Sequence, residues 1–241
     1  MNANLRGNMT SKLYTEFATE YDQVVQSNIY NAHYERPSLQ ALIDRVKDLD
    51  VLDLGCGSGI YADYLISRNA KSVTCVDISD AMVALVRNRL GAQLNVYQQD
   101  LTHGLPREAS NSKDLIICPL MVHYLADLVP FFNEVYRVLK PSGHIVFSTH
   151  HPCSEAELSQ ANNYFATERV TDVWGTIGKP VQVQFFRRSL TQLFTAITQS
   201  GLVVTQLTEG QVAREAEVLC SATYRKLSSQ PAFVFIKSKK A

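Results

Sequence analysis

The chain has 241 residues, 46% of them hydrophobic and 19% charged, and its 23 basic and 23 acidic side chains balance to zero. That composition is globular rather than disordered, long enough for a core without disulfide or metal staples, and without a global field to draw a polyanion or an anionic membrane. The longest clean apolar run, 115–122, falls far short of the roughly 18 residues of a membrane span; residues 1–10 hold no signal-like apolar stretch, and five cysteines without a C-x-x-C pair suit a reduced, cytoplasmic protein with no metal site.

Residues 11–46 read as helical. Leu13, Tyr14, Phe17 and Tyr21 share one helix face, and after a loop near 28–31 Pro37 suits a first turn, followed by a stripe of Leu39, Leu42, Ile43 and Val46. From Asp50 onward strands and helices alternate. Strands are expected at 51–54, 72–76, 94–97, 114–118 and 144–148. Helices are expected at 60–67, after Ser79 as N-cap (Met82, Val83, Val86, Leu90), and along Leu128, Phe131, Phe132, Val135, Val138 and Leu139. Lys140-Pro141-Ser142-Gly143 breaks the last of these.

Such alternation predicts a doubly wound parallel α/β sheet with helices on both faces, whose ligands bind beyond the carboxyl ends of the strands. The stretch 149–188 interrupts the pattern. Strand-like pieces at 169–174 and 181–186, around Gly175 and Gly178-Lys179-Pro180, predict a hairpin insertion. Ser189 and Gln192 form a capping box for a helix that ends at Gly201. Final strands follow at 202–207 and 232–236, joined by a long polar loop, and the basic end 237–240 reads as a solvated tail. The expected organisation is one domain over 1–241. It comprises a helical cover over 1–48, a cofactor-binding core over 49–150, a hairpin insertion and substrate cap over 151–188, and the C-terminal part of the sheet over 189–241.

Asp53-Leu54-Gly55-Cys56-Gly57-Ser58-Gly59 follows the first strand and opens a helix. Alternate glycines let the backbone turn tightly and approach a ligand closely, and the helix start offers free N–H groups. A dinucleotide site wants G-x-G-x-x-G; here the third glycine comes one place early, and position 60 is Ile. Asp77 ends the second strand, where a carboxylate can accept both hydroxyls of a ribose. Gln99-Asp100-Leu101 follows the third strand, and Cys118-Pro119-Leu120-Met121-Val122-His123-Tyr124 the fourth.

In these motifs the chain resembles the class I S-adenosylmethionine-dependent methyltransferases, especially the quinone- and small-molecule-methylating (type 11) group. The resemblance implies a mostly parallel seven-stranded Rossmann-like sheet with its last strand antiparallel, and S-adenosylmethionine as cofactor, with S-adenosylhomocysteine as its product. It implies cofactor-binding roles for Asp53, Gly55, Cys56, Gly57 and Gly59 in the turn. Asp77 would take the ribose, Ile78 and Met82 the adenine face, Asp100 and the Leu101 N–H the adenine edge. Pro119 and His123 would lie beside the methyl donor, with Tyr21 on the cover. The [Asp/Asn/Ser]-Pro-Pro-aromatic motif of base-methylating enzymes is missing, and Cys118 precedes Pro119 instead of following it.

Methyl transfer from a sulfonium needs mainly an acceptor held in line, and a general base only when the acceptor must lose a proton. His123 and His151 are the candidate catalytic bases. Tyr14, His33, His150, Trp174 and Phe185 are candidate walls of the substrate pocket. The expected partner is a small-molecule acceptor; nucleic acid is disfavoured, no membrane partner is expected, and the chain is taken as monomer or homodimer. An RNA or protein methyltransferase and a non-catalytic S-adenosylmethionine-binding protein stand as alternatives.

Overall fold

The computed structural model describes residues 11–91, 94–154 and 156–241; the stretch 1–10, read for a signal sequence above, lies outside them. Nine strands are described: β1 (Asp50–Leu54), β2 (Ser72–Asp77), β3 (Asn95–Gln98), β4 (Lys113–Cys118), β5 (Leu139–His150), β6 (Glu168–Trp174), β7 (Val181–Arg187), β8 (Leu202–Thr208) and β9 (Phe233–Lys240). The α-helices are α1 (Ala18–Val25), α2 (Arg36–Gln40), α3 (Ile60–Ser67), α4 (Asp80–Leu90), α5 (Val129–Val138), α6 (Leu190–Gln199), α7 (Ala216–Leu219) and α8 (Ser221–Ser229). Seven strands form one sheet in the order β3-β2-β1-β4-β5-β9-β8, while β6 and β7 pair separately as an antiparallel hairpin. Strands β1 to β5 run parallel, and β9 runs antiparallel to both its neighbours, β5 and β8. This is the mostly parallel, Rossmann-like sheet expected from the motifs.

Both faces of the sheet are covered, so its central strands are apolar on both sides. Leu52, Leu54, Ile116 and Phe147 pack with α5 and α6 on one face. Val51, Cys75, Leu115, Ile117 and Val146 pack with α2, α3 and α4 on the other. Side chains alternate along a strand, so Asp53 points to the same face as Val51, toward α2 and α3.

Four expectations change. The stripe from Leu39 to Val46 does not stay helical: α2 stops at Gln40, yet Leu42, Ile43 and Val46 are buried, so their spacing reports burial rather than helix. The breaker at Lys140-Pro141-Ser142-Gly143 does not separate α5 from β5. The strand runs through it with a register shift against β4, Ser142 adopts φ +65°, and a Cβ on Gly143 would sit 2.9 Å from the Lys140 carbonyl. The polar loop before β9 holds α7 and α8, which escaped notice because Ala216 and Leu227 are their only buried side chains. The basic end is no tail: Lys237 pairs with Asp44, and Lys240 Nζ donates to the carbonyls of Tyr136 (2.7 Å) and Leu139 (2.9 Å).

Candidate functional site

A cleft of about 1870 Å³ opens beyond the carboxyl ends of β1 to β5, roofed by the N-terminal segment and flanked by the β6–β7 hairpin. Typical small-ligand pockets hold roughly 300–1,000 Å³, so the cleft has room for a nucleoside and a second molecule.

Its floor is the turn after β1. Gly55, Gly57 and Gly59 all have positive φ (71°, 52°, 85°), a region that L side chains rarely adopt. A Cβ on Gly55 would lie 2.5 Å from Met121 Cγ, whereas one on Gly57 would meet nothing within 4 Å. Gly57 is therefore the open point of the turn. The N–H groups of Gly55 and Cys56 donate to the Val76 carbonyl (2.8 and 3.1 Å), which fastens the turn to β2. Asp77 then bridges the two motifs: Oδ2 accepts from the Gly57 N–H and Oδ1 from the Ser79 N–H, both at 2.9 Å. Burial raises its pKa, and the N–H donors of Ser79, Gly57 and Ile78 pull it back. Ser79 caps α4 through Met82 N–H, and its hydroxyl donates to the Tyr14 carbonyl. Ile78, Met82 and Leu101 continue the wall with Asp100, whose Oδ1 accepts from the Thr102 N–H and hydroxyl.

The other half of the cleft lies past β4 and β5. Pro119, His123, Tyr124, His150, Trp174 and Phe186 line it. His123 stacks on His150 with ring centroids 3.9 Å apart and planes 16° apart, and its Nδ1 lies 3.3 Å from the Thr149 hydroxyl. Burial first, then the charges of His150 and Arg188, hold His123 well below the usual imidazole range, so the ring is neutral at pH 7. Tyr14 and Tyr124 share a 2.7 Å hydroxyl contact, and the Tyr21 ring meets the Tyr14 ring edge-on at 5.1 Å.

The cover is held on both sides. Arg89 of α4 clamps the Asp22 carboxylate at 2.8 and 2.7 Å. On the hairpin side the Ser11 hydroxyl donates to the Gln182 carbonyl (3.0 Å), and Lys179 Nζ sits 3.6 Å above the Phe17 ring and 3.8 Å from Glu20.

Of the sequence-derived candidates, Tyr14, Tyr21, Gly55, Cys56, Gly57, Asp77, Ile78, Met82, Asp100, Leu101, Pro119, His123, His150 and Trp174 line this one cleft. Five do not. His151 follows the last residue of β5 and turns away from the cleft lining; its Nε2 lies 3.0 Å from Glu209 and its Nδ1 accepts from the Cys153 N–H. Phe185 on β7 packs with Leu13, Val170 and Val183, and meets the His150 ring edge-on at 4.8 Å. His33 sits on a π-helical turn (Asn31–Glu35) outside the lining, where its carbonyl accepts from the Ala213 N–H. Gly59 faces α4, where a Cβ would sit 3.1 Å from Val86, so its lack of a side chain serves helix packing. Asp53 lies beneath the floor, fully buried, with neither carboxylate oxygen hydrogen-bonded among the described residues.

Glu35, Tyr61 and Tyr124 line the cleft without having been singled out. Glu35 is 3% exposed; its Oε2 accepts from the Tyr61 hydroxyl (3.0 Å) and its Oε1 from the Ser148 hydroxyl (2.6 Å). Those partners are 26 and 113 residues away, so no local pattern marks it. Among the described residues no group of three His, Cys, Asp or Glu side chains is arranged to hold a metal ion, and no helix is long and apolar enough to cross a membrane.

The methyltransferase domain family matches residues 52–147, from β1 through most of β5. That stretch is similar to a methyltransferase domain. It contains the glycine turn, Asp77, Asp100 and His123, and leaves the cover and the hairpin outside. Sequence relatives agree with it. The chain is 32% identical over 151 residues to a malonyl-[acyl-carrier protein] O-methyltransferase of Marinomonas sp., a match covering 61% of this chain and 56% of the relative. It is 33% identical over 101 residues to a ubiquinone biosynthesis O-methyltransferase of Pseudomonas fluorescens, covering 41% and 43%. The chain thus spans about a quarter to just over half of the curated relatives it matches. An S-adenosylmethionine dependent methyltransferase from Mesorhizobium loti shares the fold, with a TM-score of 0.69 at 24% identity over 85% of this chain and 97% of that one.

Proposed function

We propose that the protein is an S-adenosylmethionine-dependent methyltransferase that transfers a methyl group by in-line displacement to an O, N or C atom of a small-molecule acceptor. One observation carries the reading: the Asp77 carboxylate, buried at the end of β2 in the lining of the cleft, is held by the N–H groups of Gly57 and Ser79 with lone pairs left for a diol. The methyltransferase domain around it supports the same conclusion.

The residues fit such a cofactor. Asp77 would hold the ribose hydroxyls, Ile78 and Met82 the adenine face, and Asp100 with the Leu101 N–H the adenine edge. The open backbone at Gly57 admits close approach of the amino-acid end. When bound, S-adenosylmethionine supplies a methyl group on a positively charged sulfur. The protein's task is then to orient the acceptor and exclude water, which positioning alone accomplishes to a large degree. Tyr14, Tyr21 and Tyr124 close the cleft from above, while Trp174, His150 and Phe186 offer flat walls. Such walls suit an apolar or aromatic acceptor, in keeping with a relative named for ubiquinone biosynthesis. His123, neutral and cleft-lining, is the remaining candidate base, for acceptors that must lose a proton. A cytoplasmic monomer or homodimer without a nucleic-acid or membrane partner completes the reading.

The test is incubation with methyl-labelled S-adenosylmethionine and fractionated small-molecule, RNA and protein pools. Label in the small-molecule fraction is expected. Label confined to RNA or protein, or cofactor binding without transfer to any pool, overturns it.

A further inference from the structure

The inner face of the β6–β7 hairpin carries two carboxylates of unlike surroundings. Strand alternation puts Glu168, Asp172 and Trp174 on that face, across from Arg187, Val183 and Val181. Glu168 meets Arg187 as an ion pair at 3.2 Å. Asp172 stands instead opposite Val183, which is 1% exposed. Its Oδ1 accepts from the Val173 N–H (2.7 Å) and its Oδ2 from the Trp174 indole N–H (2.9 Å), both neutral donors. No ion pair among the described residues includes it. Lys179 of the hairpin turn pairs with Glu20, and Arg169 lies on the other face of β6. An ionised carboxylate has about four lone-pair sites, so two hydrogen bonds leave Asp172 half engaged. Asp172 and Trp174 both line the acceptor half of the cleft. From Trp174 the rings run through His150 and His123 to Tyr124, with centroids 5.7, 3.9 and 4.4 Å apart. Aromatic faces carry negative potential and the carboxylate a full negative charge, a combination that attracts a cation and repels an anion.

We propose, resting on the methyltransferase reading above, that Asp172 and the Trp174 ring form a subsite for a positively charged group of the acceptor, so that the molecule methylated is an organic cation carrying an ammonium group. The bond from Asp172 fixes the edge of the indole, and the same carboxylate takes the ammonium beside the ring face. Anchored there, the acceptor directs its remaining length toward Pro119 and His123. The hairpin thereby becomes the element that selects the acceptor by charge. A carboxylic acid of similar shape meets repulsion at Asp172, and a neutral molecule gains nothing from it.

The chain has one tryptophan, so intrinsic fluorescence reports on this wall alone. The experiment titrates the full chain, saturated with S-adenosylhomocysteine, with probes of one shape and different charge: benzylammonium, benzyl alcohol and benzoate. Midpoints rather than amplitudes are compared, since Asp172 touches the fluorophore. Benzylammonium is expected to bind tightest, by roughly tenfold over benzyl alcohol, the scale of one charge-assisted hydrogen bond, with benzoate weakest. Asp172→Asn should erase most of that preference and shift benzyl alcohol by less than about twofold. Asp172→Glu, which keeps the charge, should retain the preference for the cation. Melting curves verify that both variants fold. Equal wild-type affinity for benzylammonium and benzyl alcohol, no binding of benzylammonium, or a preference for benzoate overturns the proposal. So does equal weakening of benzylammonium and benzyl alcohol by Asp172→Asn, which makes Asp172 a support for Trp174 and nothing more. Failure of the wild type to bind S-adenosylhomocysteine, read by calorimetry before any probe is added, overturns the methyltransferase reading instead.

Discussion

In the ligand-free protein, Glu35 should make stability depend on pH in a direction opposite to that of most carboxylates. Burial raises its pKa from 4.5 to about 7, against the pull of the Ser148 and Tyr61 hydroxyls and the Arg36 charge. The folded state then holds a proton that the unfolded chain has already released, so stability is greatest below about pH 4.5 and is lost as pH rises toward 7. At about 1.4 kcal/mol per pH unit, a rise from 4.5 to about 7 corresponds to roughly 3 kcal/mol. Asp53, Tyr21 and Tyr61 face the same group, and Asp53 adds to the effect in the same sense, its own pKa being raised by burial and by Asp77 and Glu35. Glu35→Gln removes the titration. Urea unfolding at pH 5, 6, 7 and 8 should show the variant gaining about 2–3 kcal/mol relative to wild type across that range. A wild-type-minus-variant difference that stays flat to within about 0.5 kcal/mol would mean that Glu35 is an ordinary ionised carboxylate, and the account of its burial would fail.

Three further outcomes are expected. Asp77→Ala should weaken S-adenosylhomocysteine binding by roughly tenfold or more, since it removes a charged acceptor for two hydroxyls; unchanged calorimetric affinity would sink the ribose assignment. Gly55→Ala should destabilise the fold by about 1–3 kcal/mol, through its positive φ and the clash with Met121, while Gly57→Ala, with nothing in reach, should cost only about 1 kcal/mol of backbone strain. Equal losses in thermal melts would contradict that geometry. His123→Ala should lower kcat with cofactor affinity retained if the imidazole takes a proton, whereas His151→Ala should change neither; a comparable kcat loss at both positions would refute the distinction drawn from their orientation.

The cofactor half of the cleft was readable because its residues follow strand ends in chain order. Asp77 and Asp100 each close a β-branched or apolar run, and the glycines stand where a buried strand must turn. The acceptor half was less readable because it depends on the phase of strand alternation. His150 and His151 are equivalent in a string of letters, and only the actual end of β5 and its pairing with β9 decide which one meets the cleft. The same alternation on β7 puts Phe186, and not Phe185, in the cleft lining. Glu35 was invisible for a different reason: it sits in a mixed polar stretch with no motif around it, and its meaning comes from Tyr61 and Ser148, which tertiary folding alone brings near. The helices before β9 were missed because a polar segment with two buried side chains carries almost no periodic signal.

The fastening of the cover to the hairpin bears on how acceptor preference is altered by recombination. Ser11, Phe17 and Glu20 hold the tip and edge of the hairpin through Gln182 and Lys179, and Leu13 fills the apolar layer beneath it. The two segments outside residues 52–147 are therefore one composite part, encoded at opposite sides of the core. A chimera that imports residues 151–188 from another chain would strand the host's residues 11–21 on a foreign surface. Swapping both segments together preserves the joint, and the pair is the natural unit of exchange.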